Sequence, residues 1–440
     1  MILPPRSSVL SWGRTPRTQA HRLAPHFRDE TAAALEAARA AGLSALAIGL
    51  GRSYGDSGLN ADQAVVDMRG VDRLIALDPE AGVLRAEAGA SLSAIAQVIA
   101  PLGLFLPTVP GTRFVTLGGA VANDVHGKNH ERAGAFGASV RALGLRRSGE
   151  GLIALAPGDD LFAATIGGLG LTGLIEWVEI DLARIPSTMI DQELLPIGDL
   201  DEFFAVAAES KAAFEHTVAW VDCTQGGARL GRGIFTRGNW APEGGLAAHV
   251  DRAIPVPIEA PSFALNPVTL KGFNIAYDAL QRSKAGASRV HYSGCFFPLD
   301  AIYGWNKLYG PKGFYQYQCV LPPSASRDGV AEMLRIIARS GDGSFLAVLK
   351  TFGERPSPGL LSFPMPGATL ALDFRNRGAA TLALLAKLDD VVRAAGGRLY
   401  PAKDGRMSGA MFRAGYAAVD RFAGFVDPAF SSNFWRRIAA

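Results

Sequence analysis

The sequence predicts an α+β protein made of two units, because strand-like and helix-like patterns are mixed along it without a regular order. In residues 1–184, many short strand patterns stand beside a few helical ones. The even strand–helix–strand spacing of a dinucleotide-binding fold is absent there. In residues 185–395 the helical and strand patterns are longer, which indicates a second unit. Residues 396–440 are rich in aromatic side chains and arginine and are assigned to a C-terminal segment.

The individual elements are predicted from their local patterns. Ala, Leu and Glu favour a helix, a preceding Asp or Ser can cap it, and alternating apolar residues favour a strand. The first unit is expected to contain a helix at Asp29–Ala41 capped by Asp29, a buried strand at Leu43–Leu50, a strand at Ala64–Met68, a hairpin at Leu74–Ala88 turning at Pro79–Gly82, a helix at Ser91–Leu102 capped by Ser91, and an extended segment at Leu104–Val109. The second unit is expected to contain helices at Leu200–Phe214, Gly329–Ser340 and Thr381–Ala395 and a strand at Thr369–Phe374.

The composition limits the classes of function. Of the 440 residues, 48% are hydrophobic and 19% are charged, so a large core can form and general disorder is excluded. The net charge of +3 is too weak to indicate nucleic-acid binding, and no basic stripe is interleaved with aromatic residues. Cys223, Cys295 and Cys319 are isolated from one another, so neither a disulfide framework nor a zinc site is expected.

The hydrophobic pattern also indicates in which compartment of the cell the protein is expected. No apolar run reaches the roughly 18–20 residues that span a bilayer, and the first residues lack the apolar core of a signal peptide. A cytoplasmic protein is therefore expected, with peripheral contact at the inner membrane left open.

Three glycine-rich loops each adjoin a predicted strand, at Gly49–Gly58, Pro110–His130 and Thr165–Leu182. Glycine allows successive backbone N–H groups to point inwards around a diphosphate, and Arg52 adds positive charge to the first loop. Gly118 and Gly119 precede a run of small residues, which suits a helix start that faces an anion. One such loop is commonly a structural turn, but three loops beside strands favour a ligand site.

The third loop contains a GxGxxG pattern at Gly168, Gly170 and Gly173. A Rossmann fold requires a helix immediately after this pattern. The residues that follow, LIEWVEID, have the β-branched, aromatic and alternating character of a strand. The Rossmann interpretation is therefore disfavoured.

Seven motifs occur in an order and spacing that cover nearly the whole chain. They are WGR at Trp12–Arg14, GLGRSYGD in the first loop, PGTRFVTLGGAVANDVHGKNH in the second, IGGLGLTG in the third, WNKLYGPKGFYQYQ at Trp305–Gln318, LSFPMPG at Leu361–Gly367 and GGRLYPAKD at Gly396–Asp404. By these motifs the chain resembles the vanillyl-alcohol-oxidase superfamily, and within it the oxidases of polyprenylphosphoryl ribose. The resemblance implies a two-subdomain PCMH-type FAD-binding domain at 1–184 and an α+β substrate (cap) domain around an antiparallel sheet at 185–395. It also implies that 396–440 returns to the FAD site.

The resemblance implies FAD as the cofactor. Many relatives bond the flavin covalently to a His in the first loop, but this chain has Tyr54 there and no Cys in the second loop. Non-covalent FAD is therefore expected. The residues expected to bind it are Gly49, Leu50, Gly51, Arg52, Ser53, Tyr54, Gly55, Gly111, Thr116, Gly118, Gly119, Asn123, His126, Ile175 and Tyr400.

The expected catalytic residues are Lys403, His126, Lys128 and Tyr54. Lys403 in YPAKD matches the family's active-site lysine. A cation there would stabilise charge at flavin N1 and C2=O, and a pKa lowered by apolar neighbours would add a proton-accepting role. His126 and Lys128 in HGKNH are expected where flavin and substrate meet, and His126 can accept the hydroxyl proton. The alternatives are a solvated surface lysine and a structural histidine.

His126 and His130 also have the i,i+4 spacing of metal ligands. No third ligand stands at a suitable spacing, and Gly127 disfavours a helix between them. No metal is therefore expected.

Substrate contacts are expected from Gln316, Gln318, Lys350, Trp220 and Lys403. The two glutamines alternate with tyrosines, so both face one side of a strand, where amides can bind sugar hydroxyls. An amide ladder on an edge strand is the alternative. Lys350 matches a family site position, and Trp220 is expected in the pocket wall, although a buried tryptophan is more often core.

The chain departs from the family at four expected pocket positions. Ala371 stands where members often have Cys, and Thr369, Val218 and Phe296 replace more polar residues. These changes leave the identity of the sugar and the lipid open.

The resemblance predicts FAD-dependent oxidation of a secondary sugar hydroxyl to a ketone. The expected substrate is a polyprenylphosphoryl pentose, oxidised at its 2′-hydroxyl, in an epimerisation that serves cell-envelope arabinan or glycolipid synthesis. The implied partner is an NAD(P)H-dependent short-chain reductase. An alditol or aldonolactone oxidase and a non-catalytic flavin- or sugar-binding protein remain alternatives. The basic segment Leu270–His291 is expected to be a mobile lid that meets a phosphate or an anionic membrane, or else a solvated loop.

Overall fold

Short strands and helices alternate irregularly along the chain, as the α+β prediction requires. The computed structural model describes residues 2–251, 253–261 and 265–439. The strands are β1 (Arg6–Leu10), β2 (Arg17–Leu23), β3 (Ala47–Ile48), β4 (Ala64–Asp67), β5 (Leu74–Asp78), β6 (Val83–Glu87), β7 (Leu104–Phe105), β8 (Val140–Arg147), β9 (Gly151–Leu155), β10 (Leu174–Asp181), β11 (Ala183–Arg184), β12 (Met189–Ile197), β13 (His216–Val221), β14 (Gly233–Trp240), β15 (Ile254–Pro255), β16 (Gly286–His291), β17 (Ile302–Tyr303), β18 (Phe314–Leu321), β19 (Ala347–Phe352), β20 (Gly367–Arg375) and β21 (Arg398–Leu399). The helices are α1 (Glu30–Ala40), α2 (Leu92–Ile99), α3 (Leu117–Ala122), α4 (His130–Ala133), α5 (Asp160–Thr165), α6 (Leu200–Ala213), α7 (Pro267–Arg282), α8 (Tyr292–Phe296), α9 (Pro323–Ser340), α10 (Ala379–Ala394), α11 (Gly409–Gly415), α12 (Val419–Ala423) and α13 (Asn433–Ala439).

Residues 6–181 build two sheets. The first has the strand order β1-β2-β4-β3, and the second has the order β5-β6-β10-β8-β9 with antiparallel neighbours. Helix α2 and helix α3 pack on the second sheet, where Ile95, Ile99 and Val121 share a buried cluster with Val178 and Ile180 of β10. The first glycine loop connects β3 to β4, and the third leads from α5 into β10.

Most of the elements predicted for this region are confirmed. The hairpin of β5 and β6 forms antiparallel pairs, and Ser91 caps α2 by accepting a hydrogen bond from the N–H of Ala94. Strand β10 directly follows the third glycine loop, so the GxGxxG pattern leads into a strand and the Rossmann interpretation is excluded.

Two local predictions were wrong. Asp29 makes no capping hydrogen bond, because its backbone is already helical (φ −66°, ψ −20°) and lacks the extended conformation of a capping residue. The expected buried strand at 43–50 is reduced to β3, because the chain turns at Gly51, whose φ of 64° lies in the left-handed region.

The second unit contributes seven strands, and the C-terminal segment contributes β21, to an eight-stranded antiparallel sheet with the order β16-β12-β14-β13-β19-β20-β18-β21. Helices α6, α9 and α10 cover one face, where Phe203, Leu334 and Leu388 pack into a large core with Leu370 and Leu372 of β20. The predicted helices are therefore confirmed, although α9 begins at Pro323, since proline is tolerated in a first helical turn. The opposite face is left to line the candidate site.

The C-terminal segment returns to the first sheet and its loops. Ala45 forms a bridge with Phe430, and the N–H of Asn433 donates to the carbonyl of Leu59. The N–H of Tyr54 in the first glycine loop donates to the carbonyl of Ala402 at 2.8 Å. We propose the division at 1–184, 185–395 and 396–440 as domain boundaries on this basis.

The basic segment 270–291 is not an irregular loop. It forms most of α7 and the edge strand β16. Arg282 pairs with Asp278 and Arg289 with Asp191, so two of its basic side chains are neutralised locally. Within the described ranges, no helix combines the length and the apolar character needed to cross a bilayer.

Candidate active site

A cavity of about 930 Å³ lies between the glycine loops and the open face of the eight-stranded sheet. Its volume is at the upper end of the range of ligand pockets. The expected cofactor residues that line it are Gly49, Leu50, Gly51, Arg52, Ser53, Tyr54, Gly111, Thr116, Gly118, Gly119, Asn123, His126, Ile175 and Tyr400. The expected catalytic and substrate residues that line it are Lys128, Trp220, Gln316, Gln318, Lys350 and Lys403, with Tyr54 and His126. The structure thus brings together nearly all the predicted site residues.

Gly55 is the exception, because it does not line the cavity. A Cβ atom at Gly55 would lie 1.6 Å from the carbonyl oxygen of Asp404. Glycine is required here because the first loop packs directly against the backbone of the C-terminal segment, and the assignment of Gly55 to the cofactor stays a prediction.

The first loop offers a row of unused hydrogen-bond donors. In the described part of the chain, no acceptor bonds the backbone N–H groups of residues 50–53. The loop lies against the second loop, since a Cβ atom at Gly49 would lie 2.2 Å from Thr116 Oγ1. Leu50, Arg52 and Ser53 are half-buried, and N–H groups at such positions are usually paired, so this row is suited to an anion such as a diphosphate.

The second loop does not present a free helix start. Gly118 and Gly119 lie inside α3, whose first residue is Leu117. The N–H groups of Leu117, Gly118 and Gly119 donate to Ala90 O, Ala88 O and Thr116 Oγ1 at 2.8, 2.8 and 3.2 Å. The expectation that this helix start faces an anion is therefore wrong, because its first donors are used within the protein.

Arg52 supplies positive charge beside the N–H row. Its guanidinium carbon lies 3.9 Å from the ring centroid of Trp12, and its Nε donates to the carbonyl of Phe114 at 3.1 Å. Burial lowers the pKa of Arg52 from its ordinary value. The side chain remains a cation, since an arginine does not deprotonate in proteins.

Lys403 lies at the centre of the site. Its Nζ is 3.8 Å from the ring centroid of Tyr54, and part of the side chain is exposed to the cavity. Burial lowers the pKa of Lys403 to about 7, against the opposing effect of the negative charge on Asp373. A lysine in this state can both bind as a cation and accept a proton near neutral pH.

Asp373 was missed by the sequence reasoning. It lies on β20 directly opposite Gln316 of β18, and it is 1% exposed. Its carboxylate accepts hydrogen bonds from Gln316 Nε2 at 2.6 Å and from the hydroxyl of Tyr309 at 3.3 Å. The available signal was an acidic residue in TLALDF on the strand face opposite Leu370 and Leu372, where a charge needs a specific reason.

His126 is enclosed by aromatic rings. The centroids of Phe352, Phe363 and Tyr400 lie 4.9, 5.5 and 5.3 Å from that of its imidazole. Burial lowers the pKa of His126 well below its ordinary value, so the ring is neutral. Its Nε2 lies 3.0 Å from the amide nitrogen of Gln318 and can accept a hydrogen bond from it.

Lys128 and Lys350 form a second cationic group on the same cavity. Lys128 donates to the carbonyl of Cys295, and Lys350 donates to the carbonyl of Gly127 at 2.8 Å. Burial lowers the pKa of both, and that of Lys350 falls to about 7 with help from the positive charges of Lys128 and Lys403. His216, which the sequence did not indicate, lies in the same wall with a pKa lowered to about 3 by burial.

The remaining substrate residues lie on the open face of the sheet. Gln316 and Gln318 both line the cavity, as their alternation with tyrosines predicts. Trp220 also lines it, and its indole N–H donates to the carbonyl of Phe345 at 3.0 Å. The ring of Tyr277 from α7 lies edge-on to Trp220 at 4.9 Å.

The four departures from the family pattern fall in this region. Ala371, Val218 and Phe296 line the cavity, and the hydroxyl of Thr369 accepts a hydrogen bond from the Gln318 amide at 3.2 Å. Three of these four positions therefore present side chains without a polar atom to the cavity. Across the described residues, no three His, Cys, Asp or Glu side chains converge as a metal-ligand set.

Comparisons with known proteins agree with this arrangement. The FAD binding domain family matches residues 20–152. Decaprenylphosphoryl-β-D-ribose oxidase of Mycolicibacterium smegmatis is 35% identical over 98% of this chain and 97% of its own length. An uncharacterised protein of Streptomyces coelicolor is 32% identical over 79% of this chain and 99% of its own length. Alditol oxidase of a Streptomyces species is 29% identical, but only over 31% of this chain and 34% of its own length.

The predicted cofactor, FAD, is confirmed by these matches, and the residues present fit it. The unused N–H row at 50–53 beside Arg52 suits the diphosphate of FAD. The prediction that FAD is bound without a covalent link rests on Tyr54 and stays a prediction.

Proposed function

The chain belongs to the decaprenylphosphoryl-β-D-ribose oxidase family of FAD-dependent oxidoreductases, and on that premise we propose that it oxidises a secondary hydroxyl of a lipid-linked sugar to a ketone. The proposed substrate is a polyprenylphosphoryl pentose and the proposed position is its 2′-hydroxyl. The observation that carries the proposal is one cavity in which an N–H row for a diphosphate and a group of enclosed lysines meet. A separate NAD(P)H-dependent short-chain reductase would reduce the ketone and complete an epimerisation.

The proposed chemistry assigns one task to each group of residues. Residues 50–53 and Arg52 would hold the diphosphate of FAD, which supplies the hydride acceptor when it is bound. Lys403 in its neutral form takes the hydroxyl proton as the hydride leaves the carbinol carbon. The ammonium that forms, over the ring of Tyr54, would supply a fixed positive charge to the bound cofactor.

Lys128 and Lys350 are proposed to bind the phosphodiester of the substrate. Each donates one hydrogen bond to a backbone carbonyl, and an ammonium has three donors, so donors remain for an anion. Enclosed cations that repel one another are stabilised when an anion joins them. A neutral alditol would leave them uncompensated.

An apolar rim is proposed as the path of the prenyl chain. The rim is the set of exposed side chains Val250, Ile254, Ile258, Val268, Phe273, Ile275, Leu280, Ile302, Tyr303 and Leu308. Phe273, Ile302, Tyr303 and Leu308 also line the cavity, so these four side chains join the rim to the site. Exposed apolar surface of this kind suits a lipid chain and peripheral contact with a membrane.

The alternatives receive less support. The alditol oxidase relative leaves two-thirds of this chain unmatched, and nothing in a free alditol would pair with Lys128 and Lys350. A non-catalytic binding protein gives no reason for a lysine with a pKa near 7 beside the proposed flavin site.

The proposal is tested by anaerobic titration of the FAD-loaded enzyme. Polyprenylphosphoryl ribose should bleach the flavin absorbance, and mass spectrometry should find a product lighter by two hydrogens. Free alditols and aldonolactones serve as the comparison. Bleaching by these compounds without bleaching by the prenylphosphoryl sugar would overturn the substrate assignment, and no bleaching by any sugar would favour the non-catalytic alternative.

A further inference from the structure

Helix α7 buries polar side chains and exposes most of its apolar ones. The three side chains that it buries, Leu270, Asn274 and Asp278, follow a four-residue period along one face. Two of the three are polar, whereas a helix at the surface of a protein normally packs through an apolar stripe. This reversed pattern indicates that the outer face of α7 contacts something other than water.

Polar contacts attach the buried face of α7 to the protein. The amide of Asn274 donates to Asp222 Oδ1 at 2.9 Å, and Asp278 forms ion pairs with Arg232 and Arg282. Asp222 follows β13 and Arg232 precedes β14, so these contacts fix α7 to the edge of the eight-stranded sheet. The apolar side chains of the helix are therefore left mostly on the outside.

The outer face of α7 carries no charged side chain over an arc of about 160°, at 3.6 residues per turn. This face consists of Val268, Thr269, Gly272, Phe273, Ile275, Ala276, Ala279 and Leu280. Val268 is 80% exposed, and the large side chains of Ile275, Leu280 and Phe273 are 51%, 51% and 48% exposed. A helix with such a face suits the boundary between the headgroups and the acyl chains of a bilayer.

The charges beside this face are positive. All four acidic side chains of residues 250–312 lie in ion pairs with arginines, namely Asp251, Glu259, Asp278 and Asp300. Lys271 borders the outer face and Lys284 follows the end of the helix, and both are exposed. Neither lysine forms an ion pair with any part of the chain that the structure describes, so their positive charge is available to an anionic surface.

One edge of the outer face borders the active-site cavity. Phe273 lines the cavity together with Tyr277 of the same helix, and their rings are stacked with centroids 5.9 Å apart. Ile302 and Tyr303 of β17 line the same cavity, and β17 pairs with β15, where Ile254 is 76% exposed. A surface that covers the outer face of α7 would therefore adjoin the entrance of the cavity.

We propose that α7 is a membrane-docking helix, which lies in the interface of an anionic bilayer with its outer face inserted and with Lys271 and Lys284 against the lipid phosphates. A bilayer is favoured over a protein partner because the exposed face is apolar and its unpaired charged neighbours are lysines. The docking surface does not depend on the substrate. Only its consequence, that a lipid-linked sugar enters the cavity from the bilayer, rests on the proposed function.

Vesicle co-sedimentation of the FAD-loaded enzyme tests the docking surface without any substrate. The enzyme should bind vesicles of phosphatidylcholine and phosphatidylglycerol more tightly than vesicles of phosphatidylcholine alone, and added salt should weaken the binding. The double variant Ile275→Ser/Leu280→Ser should bind about tenfold more weakly or worse, because it removes inserted apolar area. Lys271→Gln/Lys284→Gln should reduce the preference for anionic vesicles by about tenfold.

Leu152→Ser/Leu382→Ser is the matched control. These two leucines are 44% and 40% exposed, and neither lines the cavity or belongs to α7. The control should bind vesicles as the wild-type enzyme does, and the melting temperature and FAD content show that each variant is folded. Equal losses in the control and in the α7 variants, or no binding of the wild-type enzyme to anionic vesicles, would overturn the proposal.

A fluorescent label tests which face is inserted. Cys223, Cys295 and Cys319 are buried, so an environment-sensitive dye on the Ile275→Cys variant reports on α7. Its emission should shift to the blue when anionic vesicles are added, whereas a dye on the Leu382→Cys variant should not respond. An unchanged emission at position 275 would contradict insertion. A wild-type dimer that becomes a monomer in Ile275→Ser/Leu280→Ser, measured by light scattering, would show a self-interface instead and overturn the proposal.

Discussion

Replacing Lys403 with Met tests the proposed chemistry most directly. Met keeps an unbranched side chain over the ring of Tyr54, where Lys403 Nζ lies 3.8 Å from the centroid, but it removes both the positive charge and the proton acceptor. Residues 50–53 and Arg52, which would hold the FAD diphosphate, are unchanged. FAD should therefore remain bound at the wild-type ratio.

The size of the effect follows from the group that is lost. A positioned acid–base residue typically contributes about 10²–10⁴-fold to a rate, which corresponds to about 3–5 kcal/mol of activation free energy. Lys403→Met should slow flavin reduction by at least about 10²-fold at saturating substrate. Because the loss falls on the reacting step, the change should appear mainly in kcat.

Anaerobic stopped-flow absorbance at the flavin band measures this rate. Lys387→Met is the control, since Lys387 is exposed on α10, outside the cavity wall. A wild-type rate of reduction in Lys403→Met with full FAD content would refute the assignment of Lys403 to the mechanism. Loss of FAD from the variant would instead show that Lys403 belongs to the cofactor site.

The remaining predictions concern pH, packing, the flavin linkage and the phosphate. Burial lowers the pKa of Lys403 to about 7. If Lys403 acts as the base, the rate of flavin reduction should rise about tenfold per pH unit below pH 7 and level off above it. A rate that falls as the pH rises to 7 would contradict this role. Gly55→Ala should lower the melting temperature and the FAD content, because the new Cβ would lie 1.6 Å from Asp404 O. The free energy of unfolding should fall by about 1–3 kcal/mol. Gly149→Ala, where no atom lies within 4 Å of the new Cβ, is the control in the calorimetric measurement. Acid precipitation should release yellow flavin into the supernatant, and a yellow pellet would show a covalent bond. Lys350→Met should raise KM for a phosphorylated sugar about tenfold or more with little change for the unphosphorylated sugar, and equal changes for both would argue against phosphate binding there.

Those parts of the site that depend on local backbone pattern could be predicted from the sequence. The N–H row at 50–53 follows from GLGRS after an apolar run, and the shared face of Gln316 and Gln318 follows from the two-residue period of a strand. Lys403 is different, because composition and periodicity alone predict a solvated lysine. Only the resemblance of YPAKD to the family places it in the site.

The features of the site that the sequence could not show depend on contacts between distant segments. Gly55 packs on Asp404, and the Gln316–Asp373 hydrogen bond joins residues 57 positions apart. The sequence around Gly118 could not show that the carbonyls of Ala88 and Ala90 accept the first two donors of α3. No local pattern carries this information, since each contact is created when one sheet or loop packs on another.

The enclosed lysines give a physical reason why the site belongs to a protein that binds anions. Burial disfavours the charged forms of Lys128, Lys350 and Lys403, and the charges of Lys128 and Lys403 further disfavour that of Lys350. Asp373 compensates Lys403 alone, so Lys128 and Lys350 reduce the stability of the fold when no anion is present. Aliphatic side chains of similar length would pack there without this cost. Under the proposed function, a phosphodiester beside Lys128 and Lys350 would supply the missing negative charge, and the least stable feature of the wall would then distinguish a phosphorylated sugar from a neutral one.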